Sequence, residues 1–223
     1  MNGRLSLAGS TITDMRTTAI PLGEYVPTAD QRVAMHGVTW QRFEAFLRTR
    51  GDVAGPRIAY LDGTLELMSP SKSHERLKSL IACLVESYAI DHEIEFMPYG
   101  GWTLKRRRRE AGAEPDECYI IGEDQDKTVP DLAIEVVWTS GGLDKLEIYR
   151  RLEVGEVWTW LEGRIQVHVL RRGRYQRAIA SALFPALDLT LLAACLTQPT
   201  VTRAIRKFRK APKASPKRPT RRR

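Results

Sequence analysis

The sequence predicts a fold of the α/β or α+β class, because β-strand and helical patterns occur along one chain. A first hairpin is indicated over residues 57–68 by the turn dipeptide Asp62-Gly63 between two short apolar runs. A second hairpin is indicated over residues 118–138, where a charged loop separates two runs rich in Ile, Val and aromatic residues. Residues 73–90 carry apolar side chains at the 3.6-residue helical period.

Weaker patterns predict the remaining elements. A helix over 39–49 is indicated by a Thr39 cap and an apolar stripe of aromatic residues and leucine. After Gly141 and Gly142, the run LDKLEIYRRL has a helical period. Further strands are predicted at Ile94–Met97, Trp102–Leu104, VWTWL, RIQVHVL and RYQRAI, and a last short helix at Leu187–Leu196.

Length and composition favour one soluble domain with extensions, since 223 residues suffice for one core of ordinary size. The three cysteines are widely spaced and form no CxxC motif, which fits a reducing cytoplasm and argues against a zinc ribbon. No apolar run reaches membrane-spanning length, and residues 1–30 lack the features of a signal peptide. We therefore expect a cytoplasmic protein without a membrane partner.

The two ends of the chain differ from its middle in composition. Residues 1–30 are predicted to be loosely ordered. The segment from Thr202 onward contains 11 Lys or Arg and no acid, so removing it changes the net charge from +8 to about −3. With three prolines and few apolar residues, residues 201–223 are predicted to be a disordered basic tail. Such a tail either attracts nucleic acid or only increases solubility.

The second hairpin brings two acids together. If its strands pair symmetrically about the loop, Cys118 lies opposite Ala133 and Asp116 opposite Glu135, with Cβ atoms about 5 Å apart on one face. Glu135 interrupts an apolar strand, where an unpaired carboxylate is costly. A divalent cation would relieve this cost, and oxygen ligands favour Mg²⁺ or Mn²⁺. The alternative is that Glu135 faces solvent or pairs with an arginine.

Three further residues are candidates for the same site. Lys145 lies just inside the start of the helix after the hairpin, off its apolar stripe, from where it could reach back toward the carboxylates. A solvated surface lysine is the alternative. His74 and Glu75 lie in the first turn of the helix over 73–90. The histidine either packs or faces a cleft, whereas the acid suits a helix start electrostatically.

A block of five basic residues precedes Asp116. It is either a solvated loop or a contact to a phosphate backbone, and it consists of Lys105, Arg106, Arg107, Arg108 and Arg109. Glu66 and His168 alternate with apolar residues on predicted strands. We expect both of them at strand surfaces rather than in a catalytic site.

An ordered set of motifs resembles the Uma-two family of restriction-endonuclease-like proteins. The motifs are YLDGTLELMSPSKSHE, GGWTL, EPDE, PDLAIEVVWTSGGLDKLEIY and GEVW, and the resemblance runs from Val38 to Leu196. The family is similar to the PD-(D/E)XK nuclease superfamily. That resemblance implies a restriction-endonuclease-like core over residues 31–200, with a mixed β-sheet flanked by helices and bound Mg²⁺ or Mn²⁺.

Carried over by position, Asp116 is the motif aspartate and Glu135 the second acid. The superfamily's lysine follows that acid by two residues, but Val137 occupies this position here. The resemblance implies that Lys145 substitutes for it. The backbone carbonyl of Val136 would complete the metal ligands.

The resemblance also covers His74 and Glu75, which match the HE at the start of the first core helix. In related nucleases a helix acid completes the metal site, which makes Glu75 a further candidate. Glu66 matches a strand acid of the family without an assigned role.

The activity implied is metal-dependent hydrolysis of phosphodiester bonds by an endonuclease, with DNA preferred over RNA and a homodimer left open. A second hypothesis is a nucleic-acid-binding or interaction module with little catalysis, because a site whose lysine is displaced could bind metal without turning over a substrate. A ribonuclease is a third, since the metal chemistry does not distinguish phosphodiesters.

Overall fold

A computed structural model of the chain describes residues 29–51, 55–137 and 142–210. The strands are β1 (Gln31–Met35), β2 (Arg57–Leu61), β3 (Thr64–Ser69), β4 (Phe96–Pro98), β5 (Leu104–Arg106), β6 (Ala111–Ala113), β7 (Glu117–Ile121), β8 (Leu132–Val136), β9 (Glu156–Leu161), β10 (Arg164–Arg171) and β11 (Arg174–Ala178). The helices are α1 (Trp40–Arg50), α2 (Lys72–Asp91), α3 (Lys145–Leu152), α4 (Leu189–Cys195) and α5 (Val201–Lys210).

The strands form two sheets flanked by helices. The larger sheet has the order β11-β10-β9-β8-β7-β4 and is mixed, because β8 and β9 run parallel while its other neighbours run antiparallel. The smaller sheet, β1-β3-β2-β6-β5, is antiparallel. The predicted mixed sheet with flanking helices is confirmed, and the second sheet is an addition to that prediction.

Helices cover both faces of the larger sheet. Leu84 of α2 packs with Ile134 and Trp158 in one buried cluster, to which α4 and α5 also contribute. On the opposite face, Ile148 of α3 packs with Ala133 in a second cluster that includes residues of the smaller sheet. The helix α3 therefore lies between the two sheets.

Both predicted hairpins are present. Asp62 (φ 44°) and Gly63 (φ 80°) adopt the left-handed conformation that a tight two-residue turn between β2 and β3 requires. In the other hairpin, Cys118 pairs with Ala133, which is the predicted register of β7 and β8. The helices predicted at 39–49 and 73–90 are confirmed as α1 and α2, each within a residue or so of its predicted ends.

Two strands differ from their prediction. Ile94–Met97 and Trp102–Leu104 are each displaced toward the C-terminus, to Phe96–Pro98 and Leu104–Arg106. They also belong to different sheets, because β4 pairs with β7 whereas β5 pairs with β6. The glycine-containing link between them therefore crosses from one sheet to the other.

The basic segment also differs from its prediction, since its first ten residues form α5. Ala204 is buried, and Ile205 and Phe208 pack against the core, so three apolar side chains on one side suffice to dock the helix. Arg209 adds two hydrogen bonds of 2.7 and 2.8 Å to Asp91 at the end of α2. The remainder of the predicted tail, 211–223, and most of the predicted loose segment, 1–28, lie outside the described residues.

Residue 138, the last of the predicted second strand, and Gly141 also lie outside the described residues. The division of the chain at residues 30 and 200 stays a prediction. Within the part that the structure describes, no helix has the length and apolar character needed to cross a membrane.

Candidate active site

The predicted acid pair lies at one end of the β7–β8 hairpin. Asp116 directly precedes β7, and Glu135 lies in β8, one residue before its end. Both are buried, with exposed fractions of 1% and 4%. The main-chain N–H of Val136 donates to Asp116 Oδ2 at 2.8 Å, which fixes this carboxylate against β8. The strand register therefore places the two acids as the sequence predicts.

His74 supports Asp116 from the first turn of α2. Its ring is fully buried, with Nε2 3.0 Å from Asp116 Oδ2 and Nδ1 2.9 Å from Asp30 Oδ2. Ser71 caps the helix by accepting from His74 N, and its own N–H donates to Asp30 Oδ1 at 2.8 Å. The cap and the histidine thus share one aspartate, which orients the imidazole toward Asp116.

Glu135 is held from the start of α3. Lys145 Nζ donates to Glu135 Oε1 at 3.3 Å, and the Tyr149 hydroxyl donates to the same oxygen. Four residues separate the two donors, so they lie on neighbouring turns of the helix and converge on one carboxylate. Lys145 is therefore not a solvated surface lysine, because only 20% of its side chain is exposed.

The two carboxyl groups have opposite pKa shifts. Burial raises the pKa of Asp116, but the hydrogen bond and charge of His74 outweigh burial and bring that pKa below its ordinary value. Burial lowers the pKa of His74, but Asp116 and Asp30 outweigh burial and raise that pKa above its ordinary value. Burial, reinforced by the Asp116 charge, raises the pKa of Glu135 despite Lys145 and Tyr149.

We tested whether these residues suit a metal ion. Asp116 Oδ1 is buried without a hydrogen-bond partner, and the Nε atom of Arg57 is 3.9 Å away. Such an unsatisfied carboxylate oxygen suits a hard cation. Over the described residues, no group of three or more His, Cys, Asp or Glu side chains could hold a metal. Two carboxylates nevertheless fit Mg²⁺, which commonly keeps several waters and substrate oxygens as ligands.

A cleft of about 320 Å³ opens beside Glu135 and Lys145. Its lining includes Glu66 and His168, for which we had expected positions at strand surfaces. That expectation is wrong for Glu66, which is 5% exposed and accepts from Leu143 N at 3.2 Å. Residues of the smaller sheet therefore form one wall of the cleft, which the alternation within a single strand does not reveal.

His168 lies on β10 and is partly buried, with Nε2 3.3 Å from the hydroxyl of Thr159. Thr159 is the strand neighbour of Glu135 in β9. Burial, together with the Arg177 charge, lowers the pKa of His168. The lowered pKa favours the uncharged imidazole, which contributes a polar group to the cleft.

Glu75 is the one candidate acid that the described contacts do not connect to the pair. It forms an ion pair of 2.9 Å with Lys78, and 42% of its side chain is exposed. It lines a different cleft, together with Arg50 and Arg57.

The predicted basic block is partly neutralised by acids. Lys105 lies 3.3 Å from Glu44, and Arg106 lies 2.7 Å from Glu153. Arg109 also approaches Glu153, at 3.9 Å. Arg107 and Arg108 belong to a short 3-10 turn with Arg109. This pairing weakens the block as a contact to phosphate.

Sequence reasoning missed three residues that contact the pair or its supports. Tyr149 belongs to the run LDKLEIYRRL, whose period predicts only a helix, and its hydroxyl gives no sequence signal. Asp30 falls in the segment predicted to be loosely ordered. Arg57 donates to the main-chain oxygen of Asp116 at 3.3 Å from β2, a contact between sheets that no spacing predicts.

A mixed sheet with flanking helices, and a buried Asp–Glu pair beside a lysine, is the arrangement that the resemblance to restriction-endonuclease-like proteins implies. The chain belongs to the Uma2 family, because the family model described as "Putative restriction endonuclease" matches residues 40–199. This match confirms the resemblance stated from the motifs.

Among solved structures, the chain is similar to "a putative nuclease belonging to DUF820 from Anabaena variabilis ATCC 29413". The two are 13% identical with a TM-score of 0.43, and the alignment covers 74% of this chain and 97% of the other. No curated protein matches the chain.

Proposed function

We propose that the protein is a metal-dependent endonuclease that hydrolyses phosphodiester bonds of DNA. The observation that carries the proposal is the buried pair of Asp116 and Glu135, in which Asp116 Oδ1 has no hydrogen-bond partner. A buried carboxylate oxygen without a donor is costly unless a ligand satisfies it. Membership of a family described as restriction endonucleases supports the same conclusion.

In this proposal, Asp116, Glu135 and the backbone carbonyl of Val136 hold Mg²⁺ or Mn²⁺. When bound, the ion lowers the pKa of a water molecule and polarises the phosphate. His74 and the Val136 N–H hold Asp116 Oδ2, which leaves Oδ1 for the cation. The contact with His74 outweighs burial and lowers the pKa of Asp116, which favours the ionised form that a metal ligand must have.

Lys145 has the electrostatic role. Its ammonium group lies at Glu135, at the edge of the cleft, where it can orient the attacking water or neutralise charge that develops on the phosphate. Tyr149 fixes Glu135 from the buried side of the same helix. No residue of this constellation is required as a covalent nucleophile.

The test is cleavage of plasmid and single-stranded DNA in Mn²⁺, with RNA as a parallel substrate. We expect Asp116→Ala and Glu135→Ala to abolish cleavage. Glu123→Ala is the matched control, because Glu123 is an exposed acid in the loop of the same hairpin. Unchanged activity in either site variant rules out the mechanism. Cleavage of RNA but not of DNA would show that the substrate is RNA.

A binding module with little catalysis is the second candidate. The observation that favours it is the position of the lysine, which comes from α3, whereas Val137 occupies the usual place after Glu135. Chelation separates the two functions. A binder retains its DNA affinity in chelator and loses it with salt, whereas a nuclease loses cleavage in chelator.

A further inference from the structure

Two clefts on the α4–α5 side of the molecule differ in charge from the candidate active site. One, of about 860 Å³, is lined by Arg76, Trp160 and Arg164 among others. The second, of about 500 Å³, is lined by four residues of α5 together with Leu191 and Gln198. None of the described residues that line either cleft is acidic. The two clefts thus combine six cations: Arg76, Arg164, Arg203, Arg206, Lys207 and Lys210.

The cations of α5 lie in one row. Arg203, Arg206, Lys207 and Lys210 are spaced as i, i+3, i+4 and i+7, which places them on one helix face over about 10 Å. All four are exposed, and within the described chain none pairs with a carboxylate. Arg209 is off this row and is the residue that pairs with Asp91. The helix therefore separates a docking side from a cationic side.

The row begins beside the first turns of α2. Arg76 Nη2 donates to Gln198 O at 2.6 Å just before α5, and Arg209 contacts Asp91 at the end of α2. The two helices therefore run side by side in the same direction, with the start of α5 toward the end of α2 that carries His74. On the adjacent β9, Trp160 pairs with Val136 and adds an aromatic wall.

We propose that these six cations form a track that binds the phosphate backbone of nucleic acid as it leaves the active site. Ten ångströms of helix spans about three phosphates of one strand. Partly buried Trp160 offers a face on which a base can stack. The proposal depends on the proposed function for the choice of polyanion. It also transfers the expected nucleic-acid contact from Lys105–Arg109, whose charges are partly paired, to the α4–α5 side.

A membrane surface is a poor alternative partner. An interfacial helix inserts an apolar face into lipid. Three apolar side chains of α5, Ala204, Ile205 and Phe208, are instead packed against the protein core, and only Val201 at its first position is exposed. One exposed valine is no apolar face, whereas the exposed row of cations suits phosphates presented along a strand.

The test measures binding of the full chain to a labelled DNA duplex by fluorescence anisotropy, in EDTA, over a series of KCl concentrations. The variant Arg203→Gln/Arg206→Gln/Lys210→Gln removes three cations of the track. The slope of log K against log[salt] is negative, and each lost phosphate contact makes it shallower by about 0.9, so we expect its magnitude to fall by about 2 to 3. The matched control, Arg171→Gln/Arg172→Gln/Arg174→Gln, removes three exposed cations at the β10–β11 turn and should leave the slope unchanged.

Equal slopes for both triple variants would overturn the track, as would wild-type binding to phosphatidylserine vesicles without binding to DNA. Thermal melts check that both variants fold, which their exposed positions favour. Loss of slope in the track variant, in a protein that never cleaves, would support the track and refute the nuclease. DNA cleavage by the wild type, together with an unchanged slope in the track variant, would support the nuclease and refute the track.

Discussion

Binding of Mn²⁺ should stabilise the protein in a way that depends on two particular acids. A ligand that binds only the folded state at 100 times its Kd stabilises it by about 2.7 kcal/mol. For a chain of this size, 1 kcal/mol shifts Tm by about 2–4 °C, so we expect wild-type Tm to rise by about 5–11 °C. Differential scanning fluorimetry with and without Mn²⁺ measures the shift, and EDTA should reverse it.

Asp116→Asn should remove the shift. The amide keeps an acceptor for Val136 N but loses the charge that a hard cation needs. It also removes one of the two carboxylates that contact the buried His74 ring; because Asp30 remains, the cost should be below the roughly 3–5 kcal/mol of breaking a buried charge pair. Because its metal-free Tm will fall for that reason, the quantity to compare is the change in Tm on adding Mn²⁺.

Glu135→Gln is the second variant and has the opposite effect without metal. Burial and the Asp116 charge raise the pKa of Glu135, so the ionised side chain is unfavourable where it lies. An amide can still accept from Tyr149, and the metal-free protein should be as stable as wild type or more so. With Mn²⁺ this variant should gain nothing.

Glu75→Gln supplies the control, since Glu75 pairs with Lys78 rather than with the acid pair. We expect it to keep the full Mn²⁺ shift. A wild-type shift that persists in Asp116→Asn, or one that disappears in Glu75→Gln, would refute the assignment of the metal ligands.

Three smaller predictions concern groups around the site. Gly142→Ala should cost on the order of 1 kcal/mol in urea unfolding and reduce cleavage, because a Cβ would lie 2.5 Å from Arg32 Nη1 and 2.8 Å from Glu66 Oε2 and would displace both side chains. Unchanged stability would show that these side chains move aside without cost. Burial raises the pKa of the Cys118 thiol to about 12, so iodoacetamide followed by mass spectrometry should modify Cys118 only after unfolding. Burial, and to a lesser extent the Arg177 charge, lowers the pKa of His168, so the folded state favours the neutral ring. The free energy of unfolding should therefore be highest above about pH 6.5, the ordinary pKa of histidine, and decrease as the pH falls below it. In Arg177→Gln, NMR titration should show a higher pKa for His168 than in the wild type. An unchanged pKa would exclude the effect of the Arg177 charge.

Local sequence signals were sufficient for the elements that carry the acid pair. The apolar alternation of the hairpin and the position of its loop fix the register, and a register shifted by one residue would turn Glu135 into the apolar cluster on the opposite face of the sheet. The period of α2 places His74 in its first turn. Asp116, Glu135 and His74 could therefore be located before any tertiary information was used.

Contacts between distant segments could not be predicted in this way. Glu66 alternates with leucines, which is typical of a solvent-facing residue, yet the loop at Leu143 covers it. The basic composition of α5 predicts disorder, but three apolar side chains and the Arg209–Asp91 pair dock it. In both cases the deciding partner lies more than seventy residues away in the sequence, as the hydrogen bonds show.

The candidate site depends on the junction of the two sheets rather than on the hairpin alone. The larger sheet supplies both carboxylates, whereas Arg57 of β2 contacts Asp116 and Glu66 of β3 holds Leu143, two residues before Lys145. Both residues belong to the hairpin turned by Asp62-Gly63. Because Arg151 of α3 also pairs with Asp62, at 2.6 Å, that hairpin contacts both ends of the helix that carries the lysine. The distance between lysine and carboxylate is therefore set by packing between the sheets, which explains how a lysine outside the usual strand position can still reach the acid pair.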